Sequence, residues 1–146
     1  MDLNQHAREI IKNNRYLTLA TSDENVPWAS PVFYCVNDRY DFYFVSEKGT
    51  LHVQNAGKNS KVAVAIFDSH QKEGEGTGIQ FSGIISEIPE ADFPQALTTY
   101  HTTFIELTPE KLSGASPYRM YKIVPDKIFI LDPQSKADKR VEVKLV

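Results

Sequence analysis

Within "YFVSEKGTLHVQN" (43–55) an apolar run gives way to Ser46, Lys48, Thr50 and His52, two hydroxyls, an ammonium and an imidazole in close succession. All four donate hydrogen bonds, and Lys48 adds positive charge, a set suited to a phosphate or a similar oxyanion. If residues 50–55 open a short helix, Thr50 stands at an end where backbone N–H groups lack partners and the dipole is positive. Helix starts of this kind hold anions. The same residues also read as a helix cap (Thr50), a solvated turn lysine (Lys48) and a partly buried filler (His52).

The other candidate chemistry is thinner. Gln80 and Ser82 share one side of an apolar strand pattern, and a glutamine there offers both donor and acceptor to an amide-like edge or simply faces solvent. "GEGTG" (74–78) is Gly-rich, but it joins two strands rather than a strand and a helix, so it reads as a loop or pocket flap and not as a dinucleotide fingerprint. The histidines at 6, 52, 70 and 101 share no ligand spacing, and no metal site is expected. Cys35 alternates with Tyr34 and Val36 and reads as a small core residue rather than a nucleophile. Trp28 suits either stacking on a planar ligand or closing one end of a barrel. No residue stands out as a catalytic acid, base or nucleophile.

Bulk composition limits what these residues can serve. The 146 residues are 41% hydrophobic and 24% charged with a net charge of −3, values that fit one globular domain over 1–146 and give no global pull on nucleic acid or an anionic membrane. An anion must therefore be caught locally. A single cysteine excludes an intrachain disulfide, no apolar run approaches the ~20 residues of a membrane span, and a reducing cytoplasmic setting is expected.

The elements that must position the site follow from periodicity. Leu3, Ala7, Ile10 and Ile11 predict a helix capped by Asp2 and stopped at Asn13-Asn14. "YLTLAT" (16–21), "WASPVFYCV" (28–36) and "YDFYFVS" (40–46) predict a three-stranded meander, with Pro31 marking an edge, a bulge or a place where backbone meets something else. "KVAVAIF" (61–67) predicts a strand buried on both faces, and "TGIQFSGIISEI" (77–88) a long strand bent at Gly83. Phe93, Ala96, Leu97, Tyr100 and Phe104 predict a helix, Thr108-Pro109 a second helix start ending by Gly114, and 118–132 a hairpin turning at "PD".

In this order the segments "LATSDENVPWASPVFY", "YDFYFVSEKGTLHVQNAGKNSKVAVAIF" and "GIQFSGIISEI" resemble the FMN-binding split-barrel proteins related to pyridoxamine 5'-phosphate oxidase, over roughly residues 5–132. The resemblance implies a mainly β (α+β) fold, a six- to seven-stranded antiparallel split β-barrel with two or three peripheral helices. It also implies FMN held between the subunits of a homodimer. On this alignment Ser46, Lys48, Thr50 and His52 would hold the phosphate, Trp28, Ala29, Ser30, Pro31 and Val32 would face the isoalloxazine, and Gln80 would meet its pyrimidine edge. Two departures stand out: Leu51-His52 occupies the place of the basic pair common in the family, and the Trp/Arg/His run that clamps pyridoxal phosphate is missing near the C-terminus. The expectation is an FMN-dependent oxidoreductase acting on a small molecule, with NAD(P)H as a possible electron source, and not a true pyridoxamine phosphate oxidase. The alternative is a non-catalytic flavin- or haem-binding module of the same fold.

Overall fold

A computed structural model describes all residues, 1–146. Helix α1 (Leu3–Asn13) starts where Asp2 accepts from the backbone N–H groups of Asn4 and Gln5, and it buries Ala7, Ile10 and Ile11. Strands β1 (Tyr16–Asp23), β2 (Val26–Phe33), β3 (Cys35–Val36) and β4 (Phe42–Glu47) follow, then helix α2 (Leu51–Lys58). Next come β5 (Lys61–Phe67), β6 (Gly78–Glu87), helix α3 (Phe93–Thr99), a 3-10 turn at Pro109–Leu112, β7 (Tyr118–Leu131) and β8 (Arg140–Val143). No helix is long and apolar enough to cross a membrane.

All eight strands join one antiparallel sheet in the order β2-β1-β5-β6-β7-β4-β3, with β8 beside β7. The sheet curls into a half-barrel whose core is built from Leu17, Leu19, Phe42, Phe44, Val64, Ile66, Ile79, Phe81, Ile123 and their neighbours. At the end of the β1–β2 ladder, Tyr34 N–H donates to Arg15 O at 3.1 Å and its hydroxyl to Ile11 O at 2.6 Å, tying α1 to the sheet edge. A smaller apolar cluster, Tyr43, Ile88, Phe93, Ala96, Leu112 and Met120, lies where α3 and the 3-10 turn cover the other side of β4 and β7.

The predicted elements form, with five differences. The first three strands make no meander: 28–36 divides into β2 and β3, β2 pairs only with β1 at the sheet edge, and β4 pairs with β3 and β7 instead of β2. Pro31 lies on β2, an edge of the sheet, where its missing N–H costs no ladder bond on the open side. Strand β5 is not buried on both faces: Val62, Val64 and Ile66 point inward, while Lys61, Ala63 and Phe67 are exposed. Its apolar run reflects small alanines on the outer face rather than a second core. Residues 118–132 form no hairpin. Strand β7 runs straight through "PD", and the missing N–H of Pro125 is absorbed where the register with β6 shifts near Gly83. A Cβ at Gly83 would stand 2.6 Å from Val124 O, so only glycine fits this close approach. The helix containing Phe93 ends at Thr99, short of Tyr100 and Phe104, and Thr98 Oγ1 donates to Gln95 O at 2.7 Å in competition with the helical pattern. Finally, β8 takes up the strict polar/apolar alternation of "RVEVKL" (140–145), with Val143 and Leu145 buried, a strand outside the predicted elements.

Candidate functional site

Strand β4 alternates into the core through Phe42 and Phe44, so the next residue of that parity, Ser46, emerges on the same side where the strand leaves the sheet. The turn at 48–50 then reverses the chain into α2, and His52 folds back so that its Nε2 lies 2.9 Å from Ser46 Oγ and 3.3 Å from Thr50 Oγ1. The imidazole rests near Phe44, with 6.2 Å between ring centroids. Helix α2 is itself fixed by Asn55, whose buried amide donates to the buried Thr21 hydroxyl at 3.1 Å, and by Asn59 donating to Ser22 Oγ.

The hydrogen-bond directions follow from counting protons. The Thr50 hydroxyl donates to Glu47 O at 2.9 Å, so it can only accept from His52. In the tautomer that satisfies both contacts, the imidazole proton sits on Nε2 and is shared between Thr50 Oγ1 and Ser46 Oγ. Ser46 keeps its own hydroxyl proton for a ligand. Partial burial lowers the pKa of His52, so at neutral pH it is an uncharged donor.

Thr50 occupies the N-cap of α2 but its side chain caps nothing. The first intrahelical bond runs from Gln54 N–H to Thr50 O at 3.0 Å, and the N–H groups of residues 51–53 precede it. The structure thus gathers Ser46, Thr50, His52 and an uncapped helix start. Lys48 is not among them: it lines a separate crevice of about 250 Å³ with Val53, Gly57, Glu87 and Tyr121 on the far flank of α2. The donor set suits a phosphate, with backbone dipoles and hydroxyls in place of a basic pair.

Residues 28–32 divide between two faces, as the pleat requires. Ser30 and Val32 are buried in the half-barrel, and Trp28, opposite Thr21 in register, has their parity but is 48% exposed at the strand end. Ala29 and Pro31 are exposed on the outer face, opposite Ala20 and Thr18. Gln80 shares that outer face and pairs in register with Ala65. The knot at Ser46 and the Gln80 side chain therefore occupy opposite sides of the sheet within one chain.

Two features escaped the sequence reading. Beside Gln80, Arg140 of β8 donates from Nε to Gln80 Oε1 at 2.6 Å. At the split, a cavity of about 900 Å³ opens between β2, β4 and residues 100–107, lined by Arg15, Tyr34, Tyr100, His101, Phe104 and Lys111 among others. Burial raises the pKa values of the Tyr34 and Tyr100 hydroxyls and of the Cys35 thiol, which keeps all three protonated. Cys35 Sγ is occupied by the backbone of His101, accepting from its N–H at 3.3 Å, and so ties the cavity wall in place. A signal for this cavity was present only as scattered aromatic and cationic residues far apart in sequence. No three His, Cys, Asp or Glu side chains gather at metal-binding distance.

A family model described as pyridoxamine 5'-phosphate oxidase matches residues 3–132. A UPF0306 protein of Pasteurella multocida (strain Pm70) is 28% identical over 97 residues, covering 66% of this chain and 65% of its own length. Among solved structures, a FAD-binding protein from Mesorhizobium loti is similar with a TM-score of 0.67 at 17% identity, covering 86% of this chain and 91% of that one. A haem-binding protein from Mycobacterium smegmatis is similar with a TM-score of 0.75 at 14% identity, covering 97% of this chain and 58% of that one. At these identities the structural likenesses show a shared fold. The chain spans less than two thirds of the Pasteurella and Mycobacterium proteins.

Proposed function

The chain belongs to the pyridoxamine 5'-phosphate oxidase family, and on that premise we propose that it is an FMN-dependent oxidoreductase acting on a small molecule. The reading rests on the start of α2, where an N-cap residue leaves the helix uncapped and Ser46 and Thr50 are ordered by His52. A hydroxyl that only capped its helix would have spent its oxygen on an N–H of the first turn. Here those N–H groups remain for an oxyanion.

FMN, when bound, supplies the hydride chemistry, and the protein supplies placement and exclusion of water. The N–H groups at the start of α2 and the Ser46 hydroxyl would hold the phosphate, while the exposed Ala29–Pro31 face and Gln80 would meet the ring. Because the knot and Gln80 face opposite ways in one chain, a single FMN touching both lies between two copies, the knot from one and Gln80 from the other. A homodimer follows from this reading. The cavity at the split gives a small substrate room beside aromatic walls and the cations Arg15 and Lys111. Electrons would come from NAD(P)H, in a cytoplasmic setting.

The haem-binding relative supports a second reading, a cofactor carrier without turnover. It is the weaker one for the knot, because an iron bond to His52 Nε2 would displace both of its hydrogen bonds. The visible absorption spectrum of the purified protein, followed by FMN titration, tests both. A flavin spectrum released as FMN on denaturation, reducible by NAD(P)H, is the expected result. A haem band transfers the knot to the second reading, and a colourless protein that ignores FMN overturns both.

A further inference from the structure

Lys48 takes no part in the anion knot, and the crevice it lines on the other flank of α2 has a chemistry of its own. Its backbone N–H donates to Pro117 O at 2.9 Å, which fixes the turn that carries it. The ammonium forms no ion pair. Glu87, on the same crevice, meets only the Arg119 guanidinium at 4.0 Å, and that group is already engaged with the carbonyls of Gly114, Ser116 and Tyr118. A cation and a carboxylate thus face one space of about 250 Å³ without pairing to each other.

The third polar group is Tyr121. Its ring stacks on Phe44 with 5.2 Å between centroids and the residue is only 5% exposed, yet its hydroxyl has no hydrogen-bond partner in the chain. Among buried side chains only His6 Nε2 is both unpartnered and sealed from solvent, so the Tyr121 oxygen opens onto the crevice. Burial, with the charge of the register neighbour Glu87, pushes its pKa up to about 12, and the phenol is a fixed proton donor. Val53 and Ala56 of α2 and Ile85 of β6 supply an apolar floor, and a Cβ added at Gly57 would meet nothing within 4 Å. The space falls below the roughly 300 to 1,000 Å³ of sites for drug-sized ligands, so its guest is small.

We propose that this crevice binds a small zwitterion, an α-amino acid with a short aliphatic side chain. Its carboxylate meets the Lys48 ammonium and the Tyr121 hydroxyl, its ammonium meets Glu87, and its side chain lies on Val53, Ala56 and Ile85. Such a ligand joins the two charges that the chain leaves apart and gives the phenol an acceptor. A plain anion would be repelled by Glu87 and a plain cation by Lys48. The inference stands apart from the FMN reading, since none of these residues belongs to the knot.

The test titrates the full chain with L-valine, read by calorimetry and by saturation-transfer NMR, beside isovalerate, which lacks the ammonium, and L-valinol, which lacks the carboxylate. L-Valine is expected to bind, and the two singly charged analogues to bind about tenfold more weakly or less. Tyr121→Phe, which keeps the ring on Phe44, should lower valine affinity about tenfold, and Lys48→Gln by about as much. Gly57→Leu places a good helix former where its side chain fills the crevice, so it should melt no lower than wild type and bind no valine. It serves if Tyr121→Phe unsettles the core. No signal from millimolar L-valine by either method overturns the site. Isovalerate or valinol binding as tightly as valine overturns the zwitterion, and valine binding unchanged in folded Gly57→Leu or Tyr121→Phe overturns this crevice as its location.

Discussion

The buried amide of Asn55 donates to the buried hydroxyl of Thr21 at 3.1 Å, joining α2 to β1 across the mouth of the half-barrel. Thr21→Val keeps the shape and removes the acceptor, leaving an amide proton with no partner in a dry site. A cost of about 1 to 3 kcal/mol is expected for such a group. Urea denaturation should show that loss, and the double variant Thr21→Val with Asn55→Leu should recover part of it. Additive losses would mean that the bond does not hold the helix.

If the start of α2 binds phosphate, Ser46→Ala should weaken FMN by about 1 to 3 kcal/mol, the scale of a hydrogen bond to a charged group, whereas Thr50→Ala, whose hydroxyl proton already goes to Glu47 O, should weaken it less, through the loosened His52. Riboflavin has no phosphate, so its affinity should hardly change. Lys48 lines a different crevice and acts only as a nearby charge, so Lys48→Ala should weaken FMN less, with a loss that fades as salt is raised. Calorimetric titration with the two ligands reads all three. Equal losses for FMN and riboflavin would place the knot away from the phosphate.

His52 couples this site to pH. Burial lowers its folded-state pKa below the ordinary imidazole value, so the unfolded chain takes up the proton first as pH falls. Stability should be full above about pH 6.5, the unfolded value, and decline as the solution is acidified through the lower folded value. In His52→Gln, which keeps a neutral donor, that component of the decline should vanish. Chemical denaturation at a series of pH values between neutral and mildly acidic compares the two slopes, and identical slopes would remove His52 as the cause.

Most of this architecture could be read from local pattern. The Asp2 cap, the alternation of β1 and β6, the edge position of Pro31 and the close approach at Gly83 each follow from one residue type meeting one backbone requirement. The errors arise where tertiary context decides. Ala63 and Ala65 count as apolar in a periodicity yet lie on the outer face, and Pro125 reads as a turn until β6 is present to absorb its missing N–H. The knot was legible because Ser46, Thr50 and His52 are neighbours in sequence. Arg140 beside Gln80 was not, since the two lie sixty residues apart and only the β7–β8 register brings them together.

That outer face yields the prediction on which the shared site depends. Thr18, Ala20, Ala63 and Ala65 make it flat, and Phe67, Ile84 and Val124 stand around it at 53%, 50% and 44% exposure, a large apolar rim to leave in water. A second copy packing here would bring sheet against sheet at about 10 Å, a gap that small side chains permit and a long cation does not. The Ala63 side chain points away from the core, so Ala63→Arg should fold and melt close to wild type. It should nevertheless sediment as a monomer where wild type is a dimer, and its affinity for FMN should fall at least tenfold, because Gln80 of one copy no longer reaches the knot of the other. A monomeric wild type, or a monomeric Ala63→Arg that binds FMN as tightly as wild type, would show that one chain holds the cofactor by itself.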